Sequence, residues 1–84
     1  MEEASDIEQK YRLGGGFAFM NAPFASHPND ERRARESIEA MRADGVDHDQ
    51  MRAHLRAYIE KQDRRADARE RQMARVEECL ALWA

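Results

Sequence analysis

The chain has 84 residues, 37% of them charged and only 7% aromatic, with a formal net charge of −3. That length allows one small domain, which is marginal unless a second chain, a metal or disulfides support it. Cys79 is the only cysteine, so no internal disulfide forms; the lone thiol and the lack of an apolar leader after Met1 set cytoplasmic as the expected location, and no run nears the roughly 18 apolar residues of a membrane span.

From the N-terminus, "SDIE" (5–8) reads as a capping box, Ser5 bonding the Glu8 backbone and Glu8 reaching back. A short helix over 6–13 follows, with Ile7 and Tyr11 one turn apart, and Gly14 is its natural stop because glycine takes the left-handed conformation without penalty. Residues 14–28 form an apolar arm hinged on Gly14, Gly15 and Gly16. The arm has no acidic side chain and carries Phe17, Phe19, Met20 and Phe24, while Pro23 counts against an interior strand. So apolar an arm must cover a helix seam, in its own chain or across a dimer. Phe17 and Phe19 are expected to pack on their own chain and Phe24 to stay exposed.

The next helix spans 30–43. Asn29 or Asp30 caps it, Ala34, Ile38 and Met41 form its apolar stripe, and Gly45 ends it. "DHDQ" (47–50) starts another, with Asp47 as N-cap and Gln50 at the third position. Neither Gly nor Pro occurs after Gly45, and Met51, Leu55, Tyr58, Ile59, Ala66, Met73, Val76, Leu80 and Trp83 keep to one helical stripe, so the periodicity predicts a single long helix over 47–83. Such a helix is about 36 residues and roughly 54 Å long, against about 21 Å for 30–43. The shorter helix then covers only its first half. The open stripe calls for a homodimer whose antiparallel seam is Gln62, Ala66, Arg69, Met73, Val76 and Leu80, with the two polar positions fixing register.

Residues of catalytic type do not assemble into a site. His48 and His54 are six apart and point away from each other on a helix, so "DGVDHDQ" reads as turn and cap rather than metal site, and His27 beside Pro28 reads as turn-forming. The triple glycine runs into Phe17-Ala18-Phe19 and lacks the Gly-Lys-Ser/Thr ending of a phosphate loop. Cys79 reads as a packing residue. No cofactor or metal is expected, and the chain is not expected to be an enzyme. Arg64, Arg65, Arg71 and Arg75 are possible phosphate contacts, because 61–75 holds six basic and three acidic side chains, but the interleaved signs fit a solvated helix face better. Met20, Phe24, Leu80 and Trp83 are the candidate partner contacts, large apolar groups at the arm and at the C-terminal tip.

"ESIEAMRADGVDHDQMRAHLRAY" (36–58) followed by "RERQMARVEECLALW" (69–83) resembles the linker and dimerisation region of MerR-type transcription regulators. Ile38, Met41, Arg42, Gly45, Val46, Met51 and Arg52 stand at that region's motif positions. The resemblance implies a helical hairpin whose long arm pairs antiparallel with its twin. Residues 1–28 have neither the length nor the pattern of that family's winged helix-turn-helix, so its DNA contacts have no counterparts here. The expected fold is all-α: a short helix, a hinged arm, and a hairpin with one long C-terminal helix. The expected function is non-catalytic, a small dimeric interaction protein that binds and modulates another protein, with a nucleic-acid-binding regulator using 61–75 as the alternative.

Overall fold

Helix α1 (Ala4–Tyr11) leads through a single 3-10 turn (Ala18–Met20) into α2 (Pro28–Ala43), α3 (His48–Lys61) and α4 (Ala66–Trp83). This computed structural model describes residues 4–13, 17–62 and 65–84, and among them there is no strand. The all-α class and a long C-terminal helix therefore stand as the sequence suggested.

The local code acts as expected at the α2–α3 turn. Gly45 has φ +82°. Its N–H donates to the Arg42 carbonyl at 3.0 Å and that of Val46 to the Met41 carbonyl at 3.0 Å, the paired bonds of a Schellman ending. Asp47 then caps α3: its Oδ1 accepts from the Gln50 N–H at 2.8 Å, and Gln50 Oε1 accepts from the Asp47 N–H at 3.2 Å.

Three helix ends differ from expectation. The N-cap of α2 is His27, which makes no side-chain cap bond; Pro28 starts the helix, its ring fixing φ and its missing N–H costing nothing there, so neither Asn29 nor Asp30 is the cap. α1 already includes Ser5, which is therefore not its cap, and the side chain of Ser5 lies outside the described residues. α1 ends before Gly14. Arg12 takes the left-handed position at φ 59°, and the Leu13 N–H donates to the Glu8 carbonyl at 2.9 Å. Gly14, Gly15 and Gly16, the expected hinge, lie outside the described residues.

The largest difference is in the predicted helix 47–83. It is two helices: α3 ends at Lys61 with Gln62 as C-cap, and α4 starts at Ala66 from an extended Arg65 at φ −64°, ψ 157°. The longest dimension of the molecule is 37 Å, well short of the roughly 54 Å that an unbroken helix needs. Burial explains the break. Helix propensities separate ordinary residues by at most about 0.7 kcal/mol, whereas each large apolar side chain removed from water contributes about 1.5–3 kcal/mol. Folding back lets Val76, Cys79 and Leu80 of α4 share one core with Met51, Leu55 and Ile59 of α3, all 0–2% exposed.

The remaining elements close over this pair. Ala34, Ile38 and Met41 of α2 are fully buried, as their spacing predicted. Ser37 joins them, its Oγ donating to the Tyr11 carbonyl at 2.6 Å and so satisfying the end of α1. Arg52 forks onto Glu77 at 2.5 and 3.1 Å, pinning α3 to α4, and Lys61 reaches Glu8 of α1 at 2.7 Å.

Candidate functional site

The apolar arm divides its large side chains between core and surface. Phe17 and Phe19 are 8% and 1% exposed, their ring centroids 5.4 Å apart, and Phe17 lies 5.0 Å from the Tyr58 ring on α3. The arm therefore packs on its own chain, against α2 and α4. Met20 and Phe24, by contrast, are 42% and 43% exposed. Only three residues separate them, and the short turns between, with Asn21 donating to Asp30 Oδ2 at 2.6 Å, hold them to the outside of α4.

On α4 they meet a face of Ala68, Arg71, Gln72 and Arg75, which with Met20 lines a shallow groove of about 220 Å³. The Arg75 guanidinium lies over the Phe24 ring, 4.5 Å from its centroid, and also donates to Glu78 at 3.1 Å. A cation over a ring face steadies an exposed aromatic side chain. Gln72 is buried, and its Oε1 accepts no hydrogen bond from the described residues. Leu82, 62% exposed, lies two turns on from Arg75 along the same helix face.

The other candidates fall in different places. Leu80 is 0% exposed and belongs to the core, so it is not a partner contact. Trp83 is half-buried, under Arg35 at 5.1 Å, with its carbonyl accepting from Arg42. The proposed seam is broken up: Val76 and Leu80 face inward, Arg69 and Met73 are half-buried, and Gln62 and Ala66 are exposed. A twin cannot reach residues that the chain has buried against itself. Of the arginines considered for phosphate, Arg64 lies outside the described residues. Arg65 and Arg71 both face Asp67, at 3.8 and 3.5 Å, and Arg75 is engaged by Phe24 and Glu78.

Burial pushes the Cys79 thiol up to about 12, which keeps it protonated and unreactive. Hydrogen bonds from Lys10 and then Tyr11 hold the Asp44 carboxyl below its ordinary range. Among the described residues no group of three or more His, Cys, Asp or Glu is placed to hold a metal ion, and no helix is long and apolar enough to cross a membrane.

Sequence reasoning missed Gln72. Its signal was present, since 72, 76, 79, 80 and 83 follow the i, i+4, i+7, i+8, i+11 rhythm of a buried face, but a stripe drawn through Ala66 and Met73 hid it. Compared with family models, curated proteins and solved structures, the chain finds no match.

Proposed function

We propose that this chain is a non-catalytic interaction module that binds another protein through Met20, Phe24 and the outer face of α4, and modulates it. The observation that carries the reading is the split within the arm: Phe17 and Phe19 anchor it in the core while Met20 and Phe24 are held out, each more than two-fifths exposed. Exposed aromatic and thioether side chains beside arginine are the usual composition of interface anchors.

The test compares wild type with Met20→Ser/Phe24→Ser, each immobilised and exposed to extract of the native host, with cross-linking and mass spectrometry as readout. A protein retained by wild type, still retained in high salt, and lost by a variant of unchanged denaturant midpoint supports the reading. The same proteins on both baits contradict it.

Two further proposals have less behind them. A nucleic-acid role for 61–75 rests on the exposure of Arg65 and Arg71, but Asp67 already faces both; steep loss of binding with added salt would favour it. A homodimer has Gln62, Ala66, Arg69 and Met73 left at the surface as its seam. Sedimentation at twice the 9.8 kDa chain mass would support it, and a lone 9.8 kDa species would contradict it. The likeness to the MerR-type linker region draws support from the Gly45 ending of α2 and the Asp47 cap of α3 alone.

A further inference from the structure

Lys10 and Arg12 close α1, while Arg32 and Arg33 sit in the second turn of α2, twenty residues on. Packing of α1 on α2, fixed by the Ser37 to Tyr11 bond, brings all four to the walls of one groove of about 620 Å³, with Glu36 as the only carboxylate among the described residues that line it. Two of these cations are already matched, Lys10 by Asp44 at 3.0 Å and Arg33 by Asp30 at 3.5 Å. Arg12 and Arg32 make no ion pair among the described residues. A groove with two spare guanidinium groups is out of keeping with a chain of net charge −3.

The backbone adds an independent observation. Arg12 sits at φ 59°, the left-handed position after a helix that glycine occupies without strain. Arg12 lines the groove from a backbone position that glycine would fill at less cost, and such outliers gather at binding sites. We propose that this groove binds a carboxylate-rich segment of a partner protein, with Arg12 and Arg32 each forking onto a carboxylate. A peptide fits better than a nucleic acid. Glu36 stands in the wall, where a nucleic acid would set one of the charges that it carries at every nucleotide. A peptide can place an uncharged residue at Glu36. The groove shares no lining residue with the Met20–Phe24 surface, so either inference can fail alone.

The full chain is titrated at low salt with a fluorescein-labelled decapeptide rich in Asp and Glu, and with a single-stranded DNA oligonucleotide of matching charge. Wild type should bind the peptide saturably and more tightly than the oligonucleotide. Arg12→Gly and Arg32→Ala should each weaken peptide binding by about tenfold, the scale of one charge-assisted hydrogen bond. Arg12→Gly relieves the backbone, so its denaturant midpoint should rise as affinity falls, which separates a lost contact from a lost fold. Arg56→Ala, an exposed arginine of α3 outside the groove, should leave affinity unchanged. No saturable binding by wild type up to about 1 mM (a range where any specific site registers), affinity within twofold of wild type in either groove variant, or tighter binding of the oligonucleotide would overturn the proposal.

Discussion

One turn joins α2 to α3 and another joins α3 to α4, and the two are built differently. Between α2 and α3 each step is written locally: Gly45 at φ +82°, paired bonds to the Met41 and Arg42 carbonyls, then the Asp47–Gln50 box. Between α3 and α4 there is neither Gly nor Pro, and Arg65 at the N-cap makes no side-chain cap bond. The first turn is dictated by its own residues. The second is imposed by what the flanking helices bury. A turn of the second kind is stable only while its core is intact, and its sequence carries no sign of it.

This contrast makes the core of α4 the place to break it. Leu80→Ala should cost about 2–5 kcal/mol, the range for a fully buried leucine left as a cavity. In a domain this small that lowers Tm by roughly 8 °C or more; a shift under about 2 °C would mean that α4 is not held by its core. Cys79 in the same layer gives a pH readout. Burial pushes its thiol up to about 12 in the folded chain, from an ordinary 9.0. Between those values the unfolded chain ionises first, so stability should fall as pH rises through the window and be unaffected below it. Cys79→Ala should make the fall shallower in denaturant titrations across pH 9 to 12, the span between these two values.

The coded turn should show smaller, local losses. Gly45→Ala meets no atom within 4 Å, so its cost is conformational alone, about 1 kcal/mol. Asp47→Ala removes the cap at a cost of about 0.5–2 kcal/mol. Chemical denaturation measures both. The uncoded turn should gain where the coded one loses: Arg65→Ser supplies α4 with the cap it lacks and should stabilise by about 0.5 kcal/mol. No change or a loss there would mean that the turn already has its local code.

What could be read from the sequence follows the same division. The stripe of α2, the stripe of α3, Gly45 and the Asp47 box are short-range features and were legible. So was the split of the arm into buried Phe17 and Phe19 and exposed Phe24, because a chain this small cannot leave three phenylalanines outside. The break after Lys61 was not legible, because the polar run 62–65 interrupts the apolar stripe without Gly, Pro or another stop signal, while the decisive contacts, Ile59 with Val76 and Leu80 in one core, are non-local. Reading 47–83 as one rod left Val76 and Leu80 bare and so created a dimer seam. Once α4 folds back, those residues are spent within the chain. The groove of Arg12 and Arg32 was hidden for a related reason: its two halves are twenty residues apart, and one depends on a left-handed arginine where glycine was expected at position 14.

The fold-back of α4 on α3 underlies the choice of which side chains face a partner, and one distance tests it. Spin labels on cysteines at Gln50 and Ala81, both exposed, in a Cys79→Ala background, report it by pulsed EPR. Dilution with unlabelled protein removes any signal between chains. Two helices packed side by side put these positions roughly 20 Å apart or less, label arms included. An unbroken helix separates them by about 46 Å. A dominant short distance is the predicted result; a dominant long one would contradict the account.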